Sequence, residues 1–146
     1  MIFVIGGRQQ GKTRFALELA GKQGNFDDPA AAADGGGQGE VFRRAAADGR
    51  TAPFEAALSA PVVLHLEAYV RRAMEEGKDP YEFVSRLMEA NPQAVLTADE
   101  IGYGIVPIDA FEREYRDTDG RICQRIAACS GEVYRVVCGI GTKIKG

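Results

Sequence analysis

The sequence predicts an α/β fold, a mostly parallel sheet flanked by helices, and three observations predict it. Short apolar runs at residues 2–5, 94–98 and 133–138 read as buried strands. Stretches with apolar residues three and four apart, within 15–20, 63–74, 83–88 and 108–128, separate them as helices. A glycine-rich loop joins the first strand to the first helix. Strands alternating with helices build parallel sheets that place ligands at the carboxyl ends of the strands. At 146 residues the chain is long enough for one domain over 1–146 with a proper core.

The first unit covers residues 2–22. Ile2-Phe3-Val4-Ile5 feeds directly into Gly6-Gly7-Arg8-Gln9-Gln10-Gly11-Lys12-Thr13, and Phe15, Ala16, Leu19 and Ala20 continue as a helix. This is G-x-x-x-x-G-K-[ST], the phosphate-cradling P-loop, in the strand–loop–helix setting that gives the motif its meaning. Glycines let backbone N–H groups curl around phosphate oxygens, and the following helix directs its positive dipole end at the same anion. The expected phosphate cradle is therefore Gly6, Gly7, Arg8, Gln9, Gln10, Gly11, Lys12 and Thr13. Lys12 reaches the β/γ-phosphates as a catalytic point charge, and Thr13 offers its hydroxyl to Mg²⁺.

Residues 23–39, rich in Gly, Asp and Pro, read as a surface connection, with Ala30 to Ala33 a weakly marked strand. Pro53 suits the first turn of a helix over 54–58. Pro61 opens a further helical run, with Val63, Leu66, Val70 and Met74 on one face and His65, Tyr69 and Arg72 on another. Gly77 and Pro80 bracket a break. Phe83, Val84, Leu87 and Met88 then mark a helix stopped by Asn91-Pro92. The strand at 94–98 ends in Asp99-Glu100, a glycine-rich turn follows, and a long helix is expected over 108–128. Residues 133–138 form a strand and 142–145 a possible short one.

A P-loop needs an acid at the end of a neighbouring strand to hold Mg²⁺ directly or through water. Asp99 is the expected metal-side acid, and Glu100 could polarise an attacking hydroxyl or water. His65 is the only histidine, so any histidine-based mechanism must use it, and its expected place is mid-helix. Arg113, Arg116, Arg121 and Arg125 interleave with Glu112, Glu114, Asp117 and Asp119, which reads as a solvated, ion-paired face.

Bulk properties exclude several classes. A net charge of −3 argues against nucleic acid or an anionic membrane as the main partner. No apolar run approaches the ~20 residues of a membrane span. Strand and loop begin at once, so no secretory leader is expected, and the expected compartment is the cytosol. Cys123, Cys129 and Cys138 form no C-x-x-C pair, so they read as reduced, small apolar residues in a helix and a strand.

The carboxyl-terminal half resembles a known family. Thr97-Ala98-Asp99-Glu100-Ile101-Gly102-Tyr103-Gly104-Ile105-Val106-Pro107, Arg116-Asp117, Gly120-Arg121 with Gln124, Gly139-Ile140-Gly141 and Lys143-Ile144-Lys145 look like the adenosylcobinamide kinase/adenosylcobinamide-phosphate guanylyltransferase family. Its pattern there is approximately N-E-V-G-x-G-I-V-P, F-R-D-x-x-G-R-x-N-Q and G-I-x-x-x-I-K, and its P-loop resembles residues 6–13. The resemblance covers residues 1–22 and about 92–146, roughly half the chain.

The resemblance implies a P-loop NTPase-type (RecA-like) fold and phosphorylation of the corrinoid alcohol adenosylcobinamide with ATP or GTP and Mg²⁺. It also implies a homo-oligomer, a trimer in bifunctional members. Those members transfer GMP through a histidine in an arginine-rich segment after the second strand. Here that region has Arg43, Arg44 and Arg50 but no histidine. They also carry a strand ending in an Asp-Cys-Leu-Thr-like motif, whereas Val62-Val63-Leu64-His65-Leu66-Glu67 lacks the aspartate and reads better as helix. The leading expectation is therefore the kinase. GMP transfer through His65, or a nucleotide-binding regulatory subunit without group transfer, are the alternatives.

Overall fold

The computed structural model describes residues 1–23, 45–102, 104–105 and 108–146. The expected strand at Ala30 to Ala33, most of its surface connection, and Arg43 and Arg44 lie outside them.

Six strands and five helices are described, in the order β1 (Ile2–Gly6), α1 (Lys12–Lys22), β2 (Ala47–Asp48), α2 (Phe54–Ala57), β3 (Val62–Leu64), α3 (Leu66–Glu75), α4 (Pro80–Ala90), β4 (Val95–Asp99), α5 (Ala110–Cys129), β5 (Glu132–Val137) and β6 (Ile140–Lys145). They form one sheet ordered β2-β3-β4-β1-β5-β6. All neighbours pair in parallel except β5 and β6, which form an antiparallel hairpin. The expected mostly parallel α/β architecture is present.

Both faces of the central strands are buried, as a parallel sheet between helices requires. Phe3, Val63, Leu96, Ala98 and Val133 pack with Leu66, Tyr69, Val70, Phe83, Leu87, Ile122 and Ile126 of the α3, α4 and α5 side. The alternate residues Ile2, Val4, Val62, Leu64, Val95 and Val136 pack against Ala16, Leu17 and Ala20 of α1. The period-2 alternation of strands thus decides which helix each side chain meets.

Helix starts follow capping chemistry. The Asp79 side chain accepts from the Tyr81 and Glu82 N–H groups ahead of Pro80, and Asp109 accepts from Glu112 N–H at the start of α5. Asn91 caps the carboxyl end of α4 and donates its amide to the Ala57 and Ala60 carbonyls. Phe54, Tyr69 and Phe83 stack mutually at centroid distances of 5.1–5.5 Å. That cluster locks α2, α3 and α4 together.

The structure corrects three expectations. Residues 62–64 are a strand, and α3 begins only at Leu66, so His65 is not mid-helix. Periodicity cannot separate a three-residue strand buried on both faces from a turn of buried helix, and β-branched Val62 and Val63 tip the balance once β2 and β4 flank them. Tyr69, expected with His65 and Arg72 on a different face from Val63, Leu66 and Val70, is fully buried as they are.

The second correction concerns α5. Asp119 is 1 % exposed, because it lies one turn from Tyr115 and Cys123 on the side packed against the sheet. Its neighbours Arg113 and Arg116 do face outward, donating to the Ile108 and Ile105 carbonyls. The third concerns the cysteines. All three are free thiols, but only Cys123 is buried; Cys129 and Cys138 are exposed, and Cys138 stands in the β5–β6 turn.

Candidate active site

Four carboxyl strand ends converge on one crevice. Gly6 and Asp99 are register partners at the ends of β1 and β4, so the loop after β1 and the acidic pair after β4 are adjacent by construction. A Cβ on Gly6 would strike the Val136 carbonyl, so glycine there permits the close approach of β5.

The 7–11 loop turns through left-handed backbone at Gln9 (φ 58°) and Gly11 (φ 91°). It is stapled to the β5–β6 turn: Cys138 N–H donates to Gln10 Oε1 at 2.8 Å, and Gly139 N–H to the Gln10 carbonyl at 2.8 Å. Arg8 and Gln9 are exposed, whereas Lys12 is 5 % exposed at the first turn of α1. Lys12 Nζ donates to the Gly7 carbonyl at 2.7 Å and pairs with Asp99 Oδ1 at 2.6 Å. Thr13 follows, half-buried.

Glu100 sits beside this pair. Its N–H donates to the Gly6 carbonyl, and its carboxylate receives Nε and the second guanidinium nitrogen of Arg135 at 2.9 and 3.0 Å. Such a bidentate pair fixes the plane of the carboxylate.

His65 also arrives at the crevice, although sequence reasoning placed it on a helix. It occupies the β3–α3 junction in left-handed backbone (φ 56°, ψ 56°), a conformation that is costly away from glycine and persists where surroundings impose it. Here they do. The His65 N–H donates to Thr97 Oγ1 at 3.0 Å, its carbonyl accepts from Ala68 and Tyr69, and Gly49 leaves the space into which that carbonyl projects.

Glu67, one position into α3, links these parts. Its Oε1 lies 3.1 Å from His65 Nδ1, and its Oε2 accepts the Asp99 N–H at 3.0 Å. The Tyr115 hydroxyl donates to the Glu67 carbonyl from α5. Sequence reasoning assigned Glu67 no role. The signal was its place two residues after a histidine at a strand end, hidden by reading that strand as helix.

Two further acids complete the field. Asp119 lines a cavity of about 300 Å³ with Asp99 and Glu100. Burial, with Glu67 and Asp99 adding repulsion, pushes its carboxyl up to about 7. One of its oxygens has no hydrogen-bond partner, and the other meets Cys123 Sγ at 3.7 Å. On β2, burial raises the Asp48 carboxyl, but the hydrogen bonds and charge of Arg50 outweigh that and hold it low. Among the described residues, His65, Glu67 and Asp99 form one group whose donor atoms all lie within 4.8 Å of one another.

Fold and site together define the class: an α/β protein whose parallel strand ends gather a loop lysine, a paired acid and a histidine–carboxylate couple in one crevice. The chain belongs to the cobinamide kinase / cobinamide phosphate guanyltransferase family, whose model matches residues 58–144. It is 51 % identical over 53 residues to the bifunctional adenosylcobalamin biosynthesis protein CobU of Salmonella typhimurium and 49 % identical to that of Escherichia coli. Each alignment covers 36 % of this chain and 29 % of the relative, so this similarity spans under a third of either relative's length. The bifunctional adenosylcobalamin biosynthesis protein CobP of Pseudomonas aeruginosa is 28 % identical over 169 residues, covering 98 % of this chain and 96 % of that protein. No described helix is long and apolar enough to cross a membrane.

Proposed function

We propose that this chain is a nucleoside-triphosphate-dependent phosphotransferase of cobalamin biosynthesis that phosphorylates adenosylcobinamide. The observation that carries it is the 2.6 Å pair between Lys12 and Asp99, a loop lysine and strand-end acid brought together in a member of the cobinamide kinase family. In this reading the fold is P-loop NTPase-type over 1–146, and residues 6–13 cradle the phosphates of ATP or GTP. Lys12 leaves Asp99 for the β/γ-phosphates. The Thr13 hydroxyl and the Asp99 carboxylate would hold Mg²⁺, which would supply charge compensation for the phosphate oxygens. The donor set suits that ion, being one hydroxyl and one partly exposed carboxylate.

Glu100 accepts the proton of the acceptor hydroxyl as that oxygen bonds to the γ-phosphorus. The bond to the bridging oxygen breaks, and nucleoside diphosphate leaves. Arg135 orients Glu100 through its bidentate pair. Preorganised charge supplies most of the rate, with no covalent enzyme intermediate needed. Exposed Ile105, Ile108, Ile140 and Ile144 support self-association of the enzyme, and the resemblance favours a trimer acting in the cytosol.

Incubation with adenosylcobinamide and γ-labelled ATP or GTP tests the proposal. Label is expected in the corrinoid. No phosphorylated corrinoid, under conditions where a bifunctional relative works, overturns it.

A second reading adds GMP transfer, because the relatives are named bifunctional and His65 lies in the crevice. It predicts an acid-labile GMP adduct on His65. An intact mass unchanged by GTP excludes it.

A further inference from the structure

We infer that His65, Glu67 and Asp99 form a binding site for a first-row divalent transition-metal ion, one that favours an imidazole ligand over the all-oxygen shell of Mg²⁺. The inference shares Asp99 with the proposed phosphotransferase reading but holds in the absence of nucleotide.

Geometry carries it first. Donor atoms of the three side chains lie within 4.8 Å of one another. Ligands about 2.1 Å from a shared ion stand at most roughly 4.2 Å apart, so small side-chain rotations close the site. The three residues come from different places: His65 from the β3 end, Glu67 from the first turn of α3 and Asp99 from the β4 end. Each backbone is anchored. Thr97 holds the His65 N–H, Tyr115 holds the Glu67 carbonyl, and Glu67 itself holds the Asp99 N–H. A ligand set built on strand ends and a helix start is positioned before the ion arrives.

Charge is the second and independent observation. Asp119, 1 % exposed, has a carboxylate oxygen with no partner and lines one cavity with Asp99. That cavity adjoins the three-residue group through Asp99 and is not lined by His65 or Glu67. Two acids, Glu67 and Asp99, stand against one buried ammonium, Lys12, among the described residues of this region. Arg50 adds its field from a largely exposed position. If Lys12 moves to a phosphate, the deficit of positive charge grows. An ion held by the acids removes it.

Ligand chemistry selects the metal. One imidazole nitrogen with two carboxylates suits Mn²⁺ to Zn²⁺, whereas Mg²⁺ prefers oxygen alone. The His65 side chain is 20 % exposed, leaving a route for entry. Its bond to Glu67 exchanges for the metal, since Nδ1 and Nε2 can each serve as the ligand.

The test uses the full chain without nucleotide, titrated with Co²⁺ or Zn²⁺ alone by calorimetry, and by the visible ligand-field bands of bound Co²⁺. One ion per chain is expected, bound at least tenfold more tightly than Mg²⁺. His65→Asn tolerates the left-handed backbone and should weaken binding at least tenfold and shift the Co²⁺ bands. Glu67→Gln, nearly isosteric, should weaken it similarly. Lys12→Met should tighten it, because it removes the ammonium that competes for Asp99. Wild-type binding no tighter than that of His65→Asn and Glu67→Gln, with circular dichroism showing all three folded, overturns the inference. Failure of corrinoid phosphorylation leaves it standing, since the titration reads the metal directly.

Discussion

The ammonium of Lys12 and the carboxylate of Asp99 meet at 2.6 Å, 6 % and 14 % exposed respectively, although 87 positions separate them. Parallel pairing of β1 with β4 in the register Gly6 to Asp99 brings the loop that leads to Lys12 beside the β4 end. The pair couples the stability of the crevice to its proposed chemistry, because anything that draws Lys12 away must supply a replacement cation.

Breaking this pair from one side should cost more than removing both charges. Asp99→Asn leaves the Lys12 ammonium nearly buried with only the Gly7 carbonyl, and a cost of about 3 kcal/mol is expected. The double variant with Lys12→Met should recover part of that loss in urea unfolding. Strict additivity of the two single changes would show that the ions do not interact.

Glu100→Gln should leave nucleotide affinity within about twofold and lower corrinoid phosphorylation at least 100-fold, the scale of a lost general base. Calorimetry with nucleotide and a labelled-phosphate assay read the two quantities separately. A loss of nucleotide binding equal to the loss of activity would assign Glu100 to the nucleotide instead.

Stability should fall with rising pH because of Asp119. Its folded-state pKa of about 7 exceeds the ordinary 3.8, so the folded chain retains a proton that the unfolded chain has released. The penalty is absent below pH ~4, grows between the two values and is complete above pH ~7, reaching at most about 4 kcal/mol. In chelator-treated protein, Asp119→Asn should flatten the decline of Tm between pH 5 and 8. An unchanged slope would mean that another group titrates.

Two glycine-to-alanine changes should have opposite signs. At Gly6 the new methyl meets the Val136 backbone, and a loss of about 3 kcal/mol is expected. At Gly120, inside α5, nothing lies within 4 Å, and helix propensity should give a gain of up to about 1 kcal/mol. Denaturant midpoints of the two variants decide the matter.

Much of this was readable beforehand. The apolar runs Ile2-Phe3-Val4-Ile5 and the one before Asp99 depend on local pattern, and strands form there as expected. Gly77, Pro80 and Asn91-Pro92 marked the limits of α4 for equally local reasons. His65 and Asp119 were misplaced because their settings are non-local. A three-residue strand declares itself only through the strands on either side. An aspartate among arginines looks solvated until a sheet covers its side of the helix.

By itself the sequence determined that this protein joins a strand to a helix through a glycine-containing loop, and that an acidic pair ends another strand. Those features are encoded in residues a few positions apart. Only the tertiary structure decided that Lys12 faces Asp99, that Glu67 ties His65 to the β4 end, and that Asp119 lies buried beside them. Sheet order and register set those distances, and neither can be read from spacing along the chain.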